Sequence, residues 1–215
     1  SLESLAQGSP ADVLLEAAMS LNAASLKEIA TKSRLDAATA ESALKELMGS
    51  GQLVLLEEGE PSPKSDALAI ALPHWNDLHR RVETILDTFH RQFPLRRGIP
   101  REELKSRLKL TPRIFNAIIN RLITDHSITD HSLWVANAGH EIKFNGAEQA
   151  KVEELMRKFA KSPYATPSVK ECQSEVSEEI VNALIEMGEL VAVSQDVIFR
   201  KQDYDEMVEK IKVAI

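Results

Sequence analysis

Apolar residues recur along this chain at two spacings, and the change from one spacing to the other happens three times. Val82, Ile85, Leu86 and Phe89 fall at i, i+3, i+4 and i+7, one face of a helix. Ile114, Phe115, Ile118, Ile119, Leu122 and Ile123 make a wider apolar face. Three segments carry a helix end, a turn residue and an extended apolar stretch in that order: LKELMGSGQLVLL (44–56), INRLITDHSITDHSLWV (119–135) and VNALIEMGELVAVSQDVIF (181–199). Leu47, Leu122 and Leu184 are followed four residues later by Gly51, His126 and Gly188, and two further on by Leu53, Ile128 and Leu190. Glycine suits the left-handed position that stops a helix. A histidine is tolerated there less well.

The pattern predicts three units of similar composition. The first has helices over 11–20, 26–32 and 37–50, the last capped by Asp36, then a hairpin of 52–57 and 67–72 whose tip is EGEPSPKS. Ser25 with Glu28 three residues on has the form of a capping box for the second helix. The second unit has a long helix over 74–93, helices over 100–108 and 112–124, and a hairpin within 127–135. The third has helices over 146–161, 168–174 and 177–187, a hairpin of 190–193 and 197–200, and a closing helix over 203–213. Three helices followed by a two-stranded hairpin is the winged-helix arrangement. The expected fold is therefore mainly α with small β wings (α+β), as tandem winged-helix domains over 1–73, 74–143 and 144–215. Units of about 65–75 residues have small cores, so they are expected to dock on one another.

Composition refines this picture in a few places. The chain has 215 residues, with 27% charged and 43% hydrophobic, the values of an ordinary globular protein. No run of about 18 apolar residues is present, so no transmembrane helix is expected, and the opening SLESLAQGSP lacks the basic and apolar regions of a secretory signal. The first residue is Ser1 rather than Met, so a fragment of a longer protein is expected. A single cysteine, Cys172, rules out an internal disulfide framework and fits a reducing, cytoplasmic setting. Net charge is −7 but uneven: −6 over 1–73, +4 over 74–143 with all six histidines, and −5 over 144–215. An acidic chain with a basic middle argues against general DNA coating and permits one local anionic contact.

The basic middle peaks in FHRQFPLRRGIPREELKSRL (89–108). Arg91, Arg96, Arg97, Arg101, Lys105 and Arg107 stand there against only Glu102 and Glu103. Pro94 ends the long helix and Gly98 marks a turn. Pro100 suits the first position of the next helix, where its missing N–H has no partner to lose. The six cations are the candidate nucleic-acid contacts, because guanidinium binds phosphate bidentately. The bland alternative is pairing within the fold, with Glu102 or Glu103 as partners of Arg96 across the turn. His74 and His79, and His126 and His131, are spaced by five and lack the HExxH pattern, so no metal site is expected. No catalytic triad is legible, and Cys172 beside Glu171 is expected to have a raised pKa. Trp75 and Trp134 are expected to pack rather than to stack on bases.

The corner 89–108, together with 181–199, resembles the C-terminal extension of the bacterial selenocysteine-specific elongation factor SelB. The residues that carry the resemblance are Phe89, His90, Pro94, Leu95, Arg96, Gly98, Glu102, Glu103 and Leu104, and the unit order agrees along essentially the whole chain. The resemblance implies a translation factor whose parent is a GTPase, using GTP and Mg, that delivers selenocysteyl-tRNA to the ribosome at a recoded UGA. The phosphate-binding GxxxxGK[ST] is not in this sequence. The family's tRNA-holding body and its last winged helix, which contacts the mRNA selenocysteine insertion hairpin, are likewise expected outside it. What remains is an arm between body and tip, with no catalysis, cofactor or membrane contact of its own. Two other functions stay open at this stage: a winged-helix protein-interaction scaffold, and a DNA-binding regulator. The second is weakened by acidic recognition helices, since 37–50 offers Lys45 against Glu41 and Glu46 and 177–187 offers no Lys or Arg.

Overall fold

The computed structural model describes residues 8–213. Three successive stretches each carry three helices followed by a two-stranded wing, and the first two share one element order throughout. The first runs α1 (Pro10–Leu21), β1 (Ala24–Ser25), α2 (Leu26–Ser33), α3 (Ala37–Gly49), β2 (Leu53–Leu55) and β3 (Leu68–Ala71). The second runs α4 (Leu72–Gln92), β4 (Ile99–Pro100), α5 (Arg101–Leu108), α6 (Pro112–Thr124), β5 (Ile128–Asp130) and β6 (Trp134–Asn137). The third runs α7 (Gly146–Lys161), α8 (Val169–Val176), α9 (Glu178–Met187), β7 (Leu190–Ala192), β8 (Ile198–Arg200) and α10 (Lys201–Val213). The architecture is mainly helical with small antiparallel sheets, that is, winged-helix modules in tandem.

Helix starts follow local chemistry. Ser25 caps α2: its hydroxyl accepts from the Glu28 N–H at 3.2 Å, and the Glu28 carboxylate accepts from the Ser25 N–H at 2.9 Å. Ser9 with Asp12, Asn145 with Glu148 and Ser168 with Glu171 repeat this box at α1, α7 and α8. Helix ends are equally uniform. After α3, α6 and α9 the backbone turns left-handed at Gly51 (φ 73), His126 (φ 56) and Gly188 (φ 79). Gln52, Ser127 and Glu189 donate their N–H groups to the carbonyls of Leu47, Leu122 and Leu184, each at 2.9 Å. This is one Schellman closure used three times, and it aims each chain into its wing.

Two of the three sheets have one strand more than the sequence expectation. The first has the order β1-β3-β2, with Leu53 opposite Ala71 and Ala24 opposite Ala69. The second has the order β4-β6-β5. In the third, β7 pairs with β8 and a single bridge from Ser168 to Val197 stands where a further strand would lie. The extra strands β1 and β4 are two residues long, too short for an alternating pattern to reveal. Pro100 belongs to β4 and is the residue before α5 rather than its first helical residue.

Leu14, Leu26, Ile29, Leu44, Leu47 and Leu53 gather in one core, and Leu155, Phe159, Cys172, Val181, Leu184 and Ile198 in another. Phe115, Ile118, Ile119 and Leu122 of α6 are fully buried, as is Val82 of α4, while Trp75 is nearly so. By compactness the chain divides into two units: the described residues up to Leu86 with Pro100–Ala138, and Asp87–Ile99 with the described residues from Gly139 on.

Candidate nucleic-acid interface

The basic corner is divided between the two units, with Arg91, Arg96 and Arg97 in the second and Arg101, Lys105 and Arg107 in the first. In the second unit the corner is built on Leu95, which is buried and packs into the core around Leu155 and Phe159. The Arg96 N–H closes a turn onto the Phe93 carbonyl at 3.1 Å. Glu186 of α9 then serves two consecutive residues: its carboxylate lies 3.7 Å from the Arg96 guanidinium and accepts from the Arg97 N–H at 3.1 Å. The Arg96 carbonyl meets His140 Nε2 at 2.9 Å, and the His140 ring stacks on His90 with centroids 3.5 Å apart. Burial, and next the proximity of His140, push His90 down to about 4, against an opposing pull from Asp87. His90 therefore stays neutral near neutral pH. Arg91 donates from Nε to the Asp87 carbonyl at 3.2 Å within its own helix.

In the first unit Arg101 is a bracket. Its N–H donates to the Leu133 carbonyl at 2.9 Å, its guanidinium pairs with Asp130 and donates to Asn116 Oδ1 at 2.9 Å, and it lies 5.2 Å from the Phe115 ring centroid. It thus ties α5 and α6 to β5 and to the turn of the wing. Lys105 pairs with Glu102, and Arg107 pairs with Glu103 at 2.6 Å. The expected pairing of Arg96 with Glu102 or Glu103 does not occur. Helical spacing hands those two carboxylates to Lys105 and Arg107 at i+3 and i+4, while Arg96 finds Glu186. Each arginine carries five donors, so the exposed guanidiniums of Arg96 and Arg107 keep donors beyond these pairs.

One polar helix face escaped the sequence analysis. Arg113, Asn116, Asn120 and Arg121 lie along α6, the recognition helix of the second module, and their guanidinium and amide groups are of the kind that read base edges. The signal was the three-to-four-residue spacing of these polar groups, masked by the stronger apolar stripe of the same helix. They line a cleft of about 820 Å³ whose other wall carries Glu57 and Glu58. Arg113 makes a bidentate pair with Glu57, at 3.1 and 2.7 Å, and donates to the Asp66 carbonyl at 2.7 Å. Arg113 holds the Glu57 carboxyl below the usual range, with the Leu68 N–H adding to it. The α6 face is thus turned toward a wing of the first module that repels phosphate.

The remaining candidates have plain places. Cys172 is buried, and burial first, then Glu175 and Glu171, push its thiol up to about 11. Trp75 is buried, and Trp134 stacks on His131 with centroids 4.0 Å apart. Among the described residues no group of three or more His, Cys, Asp or Glu is placed to hold a metal ion, and no helix is long and apolar enough to cross a membrane.

Residues 84–136 match the family model described as elongation factor SelB, winged helix. The match runs from the middle of α4 to β6, across the whole basic corner and α6. No curated protein matches the chain. The chain therefore carries a SelB-like winged-helix region, and that likeness goes with RNA and ribosome association in general.

Proposed function

We propose that this chain is the winged-helix arm of a selenocysteine-specific translation elongation factor. It would link a tRNA-delivering GTPase body to the tip that holds the mRNA selenocysteine insertion hairpin, in the cytoplasm, during incorporation at UGA. The observation that carries the reading is the match over 84–136, with modules of three helices and a two-stranded wing on both sides of it. In this reading the three winged helices divide near residues 73 and 144. The arm itself is not an enzyme. GTP, Mg and selenocysteyl-tRNA belong to the body, the hairpin to the tip, and the arm meets the ribosome. The exposed cations at Arg91, Arg96 and Arg107 and the half-buried Arg97 are its candidate phosphate contacts at the corner, while Arg101 and Lys105 serve mainly to hold the fold.

A DNA-binding role is disfavoured by charge. Lys45 of α3 is paired with Glu41, α9 has no Lys or Arg, and Arg113 of α6 is held by Glu57. The scaffold reading draws support from that same α6 contact, which is protein on protein.

The test is a titration of the chain with a selenocysteine insertion hairpin, an unrelated hairpin of equal length and a DNA duplex, at about physiological salt, beside co-sedimentation with ribosomes. An arm should bind both hairpins weakly and alike, and should pellet with ribosomes. Replacing Arg96 and Arg97 with Ala should weaken the association and flatten its salt slope by about 1–2 units. Discrimination between the hairpins of about thirtyfold, roughly 2 kcal/mol, would mean that these modules read the hairpin themselves. Preference for DNA would favour the regulator, and no association with RNA or ribosome the scaffold.

A further inference from the structure

We propose that a second cleft of the first unit, beside α2, is a binding site for the phosphate backbone of RNA, with Lys27, Lys32 and Arg34 as its contact residues. The cleft has a volume of about 740 Å³. It is floored by Leu21, and Lys27, Thr31, Lys32 and Arg34 stand along its α2 side, with Arg113 reaching in from α6.

The charge distribution makes this cleft unusual. Residues 1–73 are strongly acidic and hold five Lys or Arg: Lys27, Lys32, Arg34, Lys45 and Lys64. Three of the five line this one space. All three are exposed, and among the described residues none forms an ion pair. The cleft's two acidic residues are engaged. The Glu28 carboxylate accepts from the N–H and hydroxyl of Ser25 at 2.9 and 2.8 Å, and Asp66 lies beside Arg113, which is itself held by Glu57. The contrast with the corner at 89–108 is direct, because there Arg101, Lys105 and Arg107 each answer a carboxylate of their own module.

Helix electrostatics do not account for the cluster. A cation at Arg34, which caps the C-terminus of α2, complements the helix dipole. Lys27 sits in the first turn of the same helix, where positive charge opposes the dipole. Glu28 offsets part of that opposition through its charge beside Lys27, and an external anion adds a further favourable term. Lys27, Lys32 and Arg34 form a stripe along α2 and its C-cap that spans seven residue steps, a length of about 10 Å at 1.5 Å per residue. A nucleic-acid strand carries a charge every ~3.4 Å along a duplex, so the stripe spans about three backbone charges. The Thr31 hydroxyl is spent on the Lys27 carbonyl at 2.7 Å, so the contact set is dominated by charge and suits sequence-independent backbone contact. The choice of RNA over other polyanions rests on the reading of the chain as an arm that works against RNA.

The test compares the wild-type chain, the triple variant Lys27→Gln, Lys32→Gln, Arg34→Gln, and the charge-keeping variant Lys27→Arg, Lys32→Arg, Arg34→Lys. Each is titrated with a labelled single-stranded RNA of mixed sequence over a range of salt, and with a polyglutamate peptide of matched charge. All three positions are exposed, and unchanged circular dichroism and melting check the fold of each variant. The neutral triple variant should bind RNA at least about tenfold more weakly and lose about 2 units of salt slope, since each single-strand phosphate contact contributes about 0.7. The charge-keeping variant should bind like wild type. If the neutral variant keeps wild-type affinity and slope while Arg96→Ala with Arg97→Ala loses them, the cleft is refuted and the RNA-associated arm survives. If wild type binds no RNA, both fall. If polyglutamate binds as tightly as RNA and responds to the same substitutions, the partner is an acidic protein and the RNA assignment is overturned.

Discussion

His126 shows how a single residue records both a rule and a departure from it. The three helix ends that lead into the wings use the same left-handed closure, and two of them place glycine there. At His126 the closure is made at φ 56 by a residue with a Cβ, which costs about 1–2 kcal/mol in that conformation. The side chain is exposed. His126→Gly is therefore expected to stabilise the protein by about 0.5–1 kcal/mol, after the extra freedom glycine gives the unfolded chain is subtracted. Denaturant unfolding measures this, and a loss of stability would show that the imidazole makes up for its backbone. Cys172 illustrates a different limit of residue-level reasoning. The neighbouring Glu171 correctly pointed to a raised pKa, but the larger cause is burial between helices, and Glu175 outranks Glu171.

At the scale of elements, the six cations of the corner part company. Arg101 is mostly buried, at 20% side-chain exposure against 14% for Asp130, and joins α5 and α6 to the wing. Arg107 and Glu103 are 40% and 39% exposed on one helix surface. Arg101→Ala should cost about 1–3 kcal/mol, because it leaves a buried carboxylate without its cation. Arg107→Ala should cost a few tenths of a kcal/mol, as exposed helical pairs do. Thermal or chemical unfolding of both variants decides the point. Equal losses would mean that Arg101 is no bracket, and that its charge was as available to a ligand as that of Arg107.

At the scale of the whole molecule, the informative contact is inside the first unit. Arg113 from the recognition helix of the second module grips Glu57 from the wing of the first, 56 positions away in the chain. A helix face that a DNA-binding winged helix would present to a groove is here met by its neighbour. In a double-mutant cycle, Glu57→Gln and Arg113→Gln should be coupled favourably, with coupling that shrinks as salt rises, because both groups remain solvated. Strictly additive effects would remove this pair from what holds the modules of that unit together. The two basic surfaces, at the corner and beside α2, then remain as the places proposed to meet a polyanion.

The sequence by itself determined most of the elements. Apolar spacing, capping boxes and the repeated closure residues are local, so α6 and α7 fall where they are read, and α2, α3 and α9 differ by a residue at one end. The likeness at 89–108 was also legible, because it rests on residue order. Tertiary structure decided everything that depends on who meets whom. The strands β1 and β4 exist because a partner strand holds two residues extended, and no two-residue pattern can announce that. Ion pairing was decided the same way. Arg96 has Glu186 as its partner rather than the acids nearest in sequence, and Arg113 joins Lys27, Lys32 and Arg34 around one cleft only when the start of α6 comes beside α2. Coulomb energy depends on distance in space, and the chain brings its charges together by burying apolar faces that know nothing of them.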